Sequence, residues 1–160
     1  MPSDDWSSKE RFPYEVDYND HFETPLIAYK DILPLLDLVS PAASEHKSCR
    51  SDHVLYDPYY CNGRTKTLLR QLGFNNIRHE ERDFYKDIKK GSIPDHHALI
   101  TNPPYSADHK VKCIDFAIRG LRNNSNGDKK CQRRPFFLLM PNYIATKEYY
   151  RRACVDEVSI

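Results

Sequence analysis

Four consecutive residues, Asn102-Pro103-Pro104-Tyr105, have the chemistry to bind and activate an amino group. Two prolines remove two backbone donors and fix two φ angles, so the loop is rigid and its carbonyls can accept hydrogen bonds. The side-chain oxygen of Asn102 and the carbonyl of Pro103 then form a two-acceptor site for an exocyclic NH₂ group, and the Tyr105 ring can stack on a planar group. Two donated hydrogen bonds pull the amine towards tetrahedral geometry, which makes its lone pair available for attack. This chemistry depends on positioning and needs neither a nucleophilic side chain nor a metal.

A second segment, Asp57-Pro58-Tyr59-Tyr60-Cys61-Asn62-Gly63, combines a carboxylate with a turn at which the backbone can approach a ligand closely. Gly63 adopts a left-handed conformation without strain, whereas Cys61 is small but cannot do so as cheaply. An ordinary Asp-Pro turn is the favoured explanation of this segment when it is taken alone. A simple proline turn is the corresponding alternative for residues 102–105.

Two further segments contain residues suited to holding a polar ligand. His21-Phe22-Glu23-Thr24-Pro25 precedes a predicted helix, whose first backbone amides can bind a carboxylate. A plain N-cap explains Thr24 equally well. Glu80-Glu81-Arg82-Asp83-Phe84 places carboxylates about 20 residues after the turn at Asp57. In parallel α/β sheets that bind nucleotides, a carboxylate at this spacing holds a ribose diol. A solvated run of charges is the alternative for that segment.

The hydrophobic pattern predicts strands that alternate with helices. We predict strands at residues 53–56, 76–80, 98–101 and 136–140. We predict helices within residues 21–40, 65–72, 111–121 and 144–156, the first of them kinked at Pro34. This alternation indicates an α/β fold with a mostly parallel, doubly wound sheet. Because ligands bind outside the carboxyl ends of the strands in such sheets, Asp57 and Asn102 should lie at the same edge.

The four segments, in this order, resemble the class I S-adenosylmethionine-dependent methyltransferases of the N6-adenine type, whose catalytic loop is similar to Asn102-Pro103-Pro104-Tyr105. The resemblance extends from about residue 21 to residue 143. It implies a Rossmann-like methyltransferase fold, S-adenosyl-L-methionine as cofactor, and DNA or RNA as the substrate, methylated at N6 of adenine. The loop is also similar to that of methyltransferases that act on glutamine side chains or RNA bases, and these stay open as alternatives.

The resemblance also implies a role for each segment. The catalytic residues would be Asn102, Pro103, Pro104 and Tyr105. The residues that hold the cofactor would be Phe22, Thr24, Pro25, Asp57, Tyr59, Cys61, Gly63, Glu80, Glu81, Asp83 and Phe84. Among them Glu80 or Glu81 would contact the ribose, and Asp83 with Phe84 the adenine. The chain departs from the family at Cys61, where glycine is usual. It departs again within residues 80–84, where the crowding suggests that one element is missing or very short.

The length of 160 residues fits one domain. We interpret residues 1–20 as a polar N-terminal arm and residues 21–160 as an incomplete methyltransferase domain, because no strands are predicted that would close the sheet as the family's final hairpin does. An incomplete sheet has an uncovered edge, which predicts self-association or a protein partner that covers it. A catalytically inactive interaction module is therefore the alternative from another functional class.

Composition excludes several other classes of protein. The net charge of +1 gives no global field for nucleic acid, so any binding must come from a local patch such as the basic residues 129–134, which is otherwise a solvated loop. Five cysteines without a CxxC pair argue against a disulfide framework and a zinc site, and the histidines show no ligand spacing, so no metal is expected. No apolar run approaches the roughly 20 residues of a membrane span, and no signal peptide is visible, so the cytoplasm or nucleus is expected.

Overall fold

The structure, a computed structural model, describes Asp20 and residues 22–41, 50–122 and 133–155. In chain order the elements are α1 (Leu26–Asp31), α2 (Leu33–Leu38), β1 (Leu55–Tyr56), α3 (Arg64–Gln71), β2 (Ile77–Arg78), α4 (Phe84–Lys90), β3 (Ala98–Thr101), α5 (His109–Arg122), β4 (Phe136–Leu138), a 3-10 helix (Asn142–Thr146) and α6 (Glu148–Val155). All four predicted strands are present. The predicted arm, apart from Asp20, and most of the basic stretch at residues 129–134 lie outside the described residues.

The four strands form a single parallel sheet in the order β2-β1-β3-β4. From β1 the chain steps outward to β2, and then crosses back over β1 to begin β3 on the other side. The strand order therefore reverses between β1 and β3, and the carboxyl ends of these two strands flank that point. Parallel sheets of this kind place their ligands at such a crevice.

Helices cover both faces of the sheet, as the alternation of side chains along each strand requires. On one face the strands pack against α1, α2 and α3, and the buried residues there include Leu55, Ala98, Ile100, Tyr29, Leu36 and Leu69. On the other face they pack against α4 and α5, and the buried residues include Tyr56, Leu99, Phe84, Cys113 and Ala117. The α/β class and the parallel sheet predicted from the sequence are therefore confirmed.

The helix predicted within residues 21–40 is divided into two short helices close to Pro34. Helix α1 ends at Asp31, and α2 begins at Leu33 with Pro34 in its first turn. Proline is tolerated there because the amide it lacks has no partner within the helix. The apolar periodicity of this region is only partly buried: Leu36 is enclosed, whereas Ile27, Leu35 and Leu38 remain exposed.

Helix α4 was not predicted. It begins after Asp83, whose carboxylate accepts hydrogen bonds from the amides of Tyr85 and Lys86, and it ends at Gly91 in the left-handed conformation. Residues 92–97 then lead into β3, so residues 79–97 contain a helix and no strand. That one of the family's elements is missing there stays a prediction, because it depends on the resemblance.

The segment after β4 differs from the single helix predicted for residues 144–156. A 3-10 helix comes first and α6 follows it, because Ile144 is buried against Ile114 and Ile118 of α5 and holds the short helix in place. Within the described residues β4 pairs only with β3, so its outer edge has no strand partner there. No helix among the described residues has the length and apolar character needed to cross a membrane.

Candidate functional site

The carboxylate of Asp57, directly after β1, joins three elements at the carboxyl edge of the sheet. It is almost fully buried. The hydroxyl of Thr101, the last residue of β3, donates to Oδ1 at 2.5 Å, and the hydroxyl of Thr65 in α3 donates to Oδ2 at 2.9 Å. The amide of Tyr59 donates to Oδ1 at 3.3 Å. Asp57 thus fixes β1 against β3 at the point where the strand order reverses.

His79, directly after β2, packs against the same carboxylate. Its Nδ1 lies 3.1 Å from the carbonyl oxygen of Asp57 and 3.4 Å from Oδ2, and its ring stacks on Tyr60 with centroids 5.0 Å apart. Burial raises the pKa of Asp57, and the nearby His79 together with the donated hydrogen bonds opposes that rise. The Nε2 atom of His79 is buried and has no hydrogen-bond partner within the described part of the chain.

The turn at residues 57–63, called the Asp57 turn below, contains two residues in the left-handed region. Cys61 has φ +49° and Gly63 has φ +79°. The amide of Gly63 donates to the carbonyl of Tyr60 at 2.8 Å. A Cβ at Gly63 would lie 2.7 Å from the Tyr60 hydroxyl, so the space above this glycine is occupied by a ring of the protein itself. Cys61 therefore stands in a conformation that glycine adopts without strain.

The loop at residues 102–108, called the Asn102 loop below, is held by contacts from distant parts of the chain. The Nδ2 of Asn102 donates to the carbonyl of Phe22 at 2.7 Å, which orients its Oδ1 away from that carbonyl. The Tyr105 hydroxyl lies 2.8 Å from this Oδ1 and 3.2 Å from the carbonyl oxygen of Leu139. A hydroxyl has one hydrogen, so Tyr105 donates well to only one of the two at a time. Pro103 is fully buried and anchors the loop.

The sequence analysis missed a contact between Asp20 and this loop. Asp20 accepts a hydrogen bond from the amide of Ser106, and the two residues are 86 positions apart. Burial raises the pKa of Asp20, but hydrogen bonds from Ser106 and Tyr105 together with the charge of Lys110 outweigh it, and the net shift is downward. Asp20, which we assigned to the arm, belongs to the folded unit. No sequence pattern marks such a pairing, because its two partners meet only in the folded chain.

The segment around Thr24 lies beside the two loops. Phe22 exposes its ring and contributes only its carbonyl to the Asn102 amide. Thr24 lines an apolar cavity of about 140 Å³ together with Thr101 and Leu139. Pro25 occupies the N-cap position of α1, which has no side-chain cap, so the alternative of Thr24 as a plain N-cap is wrong. These residues are therefore placed at the edge of the site that the sequence predicted.

The residues predicted to contact the ribose are exposed, whereas those predicted to contact the adenine have structural roles. Glu80 and Glu81 are exposed just beyond β2, and Glu80 lies 4.0 Å from Arg82. Asp83 instead caps α4, and Phe84 is buried in the core. Tyr59 is also buried, with its hydroxyl 3.2 Å from that of Tyr85. In this conformation the side chains of Asp83, Phe84 and Tyr59 make contacts within the protein, whereas those of Glu80 and Glu81 are exposed.

Three of the four predicted segments therefore meet at one edge: the Asp57 turn, the Asn102 loop and residues 22–24. Glu80 and Glu81 stand at the end of the neighbouring strand β2. Among the described residues, no group of three or more His, Cys, Asp or Glu side chains is placed to hold a metal ion.

No protein-family model matches the chain, and neither a curated protein nor a solved structure matches it. A functional assignment has to come from the residues at the edge between β1 and β3.

Proposed function

We propose that the chain is an S-adenosylmethionine-dependent methyltransferase with a Rossmann-like fold, and that its target is an amino nitrogen, N6 of adenine in DNA or RNA. One observation carries this proposal. The Asp57 turn and the Asn102 loop lie side by side where the strand order reverses, joined by the hydrogen bond from Thr101 to Asp57. That crevice is where sheets of this class bind nucleotide-like ligands.

The residues at this edge fit such a cofactor in part. The exposed carboxylates of Glu80 and Glu81 suit the two hydroxyls of a ribose. The turn at Cys61 and Gly63 fits less well, because the Tyr60 ring occupies the space above Gly63 where the sequence predicted a close approach of the cofactor. Thr24 lies at the cavity beside Thr101. Asp83 and Phe84 fit less well, since one caps a helix and the other lies in the core. When bound, S-adenosylmethionine supplies an electrophilic methyl group, whose bond to sulfur breaks as the target amine attacks.

The Asn102 loop supplies the groups that orient the amine. The bond from Nδ2 to the Phe22 carbonyl fixes the amide, so that Oδ1 is the acceptor presented to a ligand. An amide oxygen has two lone pairs, so Oδ1 can accept from the amine while it accepts from Tyr105. The sequence assigned the second hydrogen of the amine to the Pro103 carbonyl, but Pro103 is fully buried in this conformation, so the Asn102 oxygen is the acceptor on which the proposal rests. A glutamine side chain carries the same NH₂ group, so a protein substrate or an RNA base remains as an alternative.

Replacement of Asn102 tests this chemistry. Asn102→Ala should lower methyl transfer by about 100-fold or more, because it removes an acceptor used in the transition state, while S-adenosylmethionine still binds. Tyr105→Phe should be mild because the ring is kept, and Tyr105→Ala severe. Calorimetric titration measures cofactor binding, and transfer of a labelled methyl group to nucleic acid and to protein measures activity. Asn75→Ala, at an exposed asparagine remote from the loop, is the matched control. Absence of cofactor binding, or full activity of Asn102→Ala, contradicts the proposal.

An inactive interaction module is the second candidate, favoured by surface that the described residues leave uncovered. The outer edge of β4 has no strand partner there, and the large apolar side chains of Phe22, Ile27 and Leu38 are each more than half exposed. Such surface favours association with another chain. Sedimentation should then show self-association, or a partner should bind, without any S-adenosylmethionine binding. A monomer that binds the cofactor contradicts this candidate.

A further inference from the structure

Tyr143 is an exposed aromatic residue on a rigid support. It lies in the 3-10 helix that follows β4 and is 45% exposed, while the next residue, Ile144, is 2% exposed and packs against α5. The hydroxyl of Thr146 donates to the Tyr143 carbonyl at 2.8 Å, which closes the turn. Ile144 therefore fixes the backbone, and the ring of Tyr143 is presented to solvent.

The segment that carries this ring contacts the Asn102 loop. Tyr105 of that loop approaches the carbonyl oxygen of Leu139, only four residues before Tyr143. Burial, followed by the charges of Asp20 and Tyr143, raises the pKa of Tyr105, so the two phenols are close enough to influence each other. The segment after β4, which carries Tyr143, therefore borders the loop that would hold the amine.

Positive charge is concentrated on the same part of the chain. Residues 139–155, which follow β4, contain three basic side chains and one acidic side chain, a net charge of +2, although the whole chain has only +1. The ammonium group of Lys147 lies 5.6 Å from the centre of the Tyr143 ring. The one acidic residue, Glu148, is paired with Arg152. The surface next to Tyr143 is therefore electropositive.

A groove leads away from this point between α5 and α6. It has a volume of about 620 Å³, and its lining includes Lys147, Tyr149, Arg119 and Arg152. Asp115 and Glu148 also line it and are paired with Arg119 and Arg152, so the lining has a net charge of +1, which comes from Lys147. An exposed ring beside cations that line a groove is the arrangement that binds single-stranded nucleic acid, because bases stack on the ring and phosphates follow the cations.

We propose that Tyr143, Lys147 and the groove between α5 and α6 bind an unpaired nucleic acid strand, with Tyr143 stacking on a base that flanks the target base. The proposal rests on the proposed function, since it identifies the strand that would deliver an amine to Asn102. A protein substrate has no bases to stack on this ring and no phosphates to follow these cations.

Fluorescence anisotropy with a labelled single-stranded RNA of about 12 nucleotides, containing adenine, tests the surface directly. The same RNA annealed to its complement should bind more weakly. Tyr143→Ala should weaken binding about 5- to 100-fold, and Tyr143→Phe should bind nearly as the parent chain does. Lys147→Gln should reduce the slope of log affinity against log salt by about 0.7. Lys89→Gln, at an exposed lysine on α4, is the matched control and should change neither quantity.

The outcomes separate this proposal from the proposed function when S-adenosylmethionine binding is measured on the same samples. Cofactor binding without binding of this RNA, or of the same sequence as single-stranded DNA, overturns the nucleic acid surface and leaves a methyltransferase with another substrate. RNA binding without cofactor binding overturns the methyltransferase and leaves the surface. Equal effects of Tyr143→Ala and Lys89→Gln, or preference for the duplex, also overturn the proposal. Retained binding in Tyr143→Phe shows that any loss in Tyr143→Ala is due to the ring and not to misfolding.

Discussion

The Asp57 turn and the Asn102 loop both follow a buried strand and lie at the same edge of the sheet, yet they use their polar groups differently. Asp57 directs its carboxylate inward, where Thr101 and Thr65 donate to it. Asn102 is only partly buried, and its amide is held by a backbone carbonyl and by Tyr105. The first turn therefore stabilises the sheet, whereas the second presents acceptors at the surface.

The two loops also reach their shapes by different means. The Asp57 turn depends on left-handed backbone at Cys61 and Gly63, which local sequence controls. The Asn102 loop combines two prolines with contacts from Asp20 and Phe22, which lie 80 or more residues earlier in the chain. Changes in the Asp57 turn should therefore affect the free energy of unfolding, and changes in the Asn102 loop should affect ligand chemistry.

The largest effect on stability is expected for Asp57→Asn. The new NH₂ group cannot accept from the Thr101 or Thr65 hydroxyl that it faces, so a buried donor loses its partner, at a cost of about 2–4 kcal/mol in the free energy of unfolding. Urea denaturation measures it. Glu80→Gln, at an exposed carboxylate, should change stability by no more than about 0.5 kcal/mol. Similar values for the two variants would remove the distinction drawn between the loops.

Gly63→Ala should cost more than Gly91→Ala, although both glycines are left-handed. Alanine at either position takes on the strain of a positive φ, about 1–2 kcal/mol. A Cβ at Gly91 meets no atom within 4 Å, whereas one at Gly63 meets the Tyr60 hydroxyl. We expect Gly63→Ala to lower the free energy of unfolding by about 1 kcal/mol more than Gly91→Ala does, because Tyr60 is held by its stacking on His79. Equal losses in thermal unfolding would mean that Tyr60 moves aside freely.

Acid should destabilise the chain through two buried histidines, His53 before β1 and His96 before β3. Burial lowers the pKa of His53 and of His96 to about 4, from an ordinary value of 6.5. Since the unfolded chain binds these protons more readily, stability is full above pH 6.5 and falls as the pH approaches 4, by about 1 kcal/mol per histidine at pH 5.5. His53→Phe should remove its share of the loss in urea titrations at pH 7 and 5.5. An unchanged loss would point to the Asp57 network instead.

Cys61→Gly should give the smallest effect, and it should stabilise the chain. Glycine relieves the strain at φ +49°, while the greater freedom of the unfolded chain offsets part of the gain, leaving about 0.5–1 kcal/mol. The same change at Ala107, φ +43° in the Asn102 loop, should give a similar gain. Thermal unfolding under reducing conditions measures both. A loss at Cys61 would show that its thiol makes a contact worth more than the strain.

Local sequence patterns predicted the strands well and the ligand-like segments less well. Residues 98–101 were assigned correctly as a buried strand, because a run of apolar residues ending at Asn-Pro-Pro leaves few alternatives. Residues 80–84 contain the same carboxylate and aromatic side chains whether they bind a ligand or begin a helix. Only the backbone geometry showed that Asp83 caps α4 and that Phe84 enters the core.

The sequence by itself determined the α/β class, the position of each strand, and the two loops that follow β1 and β3, because hydrophobic period, glycine and proline act over a few residues. The tertiary structure decided the strand order and the buried bond from Thr101 to Asp57. It also decided the contacts of Asp20 and Phe22 with the Asn102 loop, and the contact of Tyr105 with the Leu139 carbonyl. These pairings join residues that are far apart in the chain. No local pattern encodes them, because they form only when packing of the whole sheet brings the partners together.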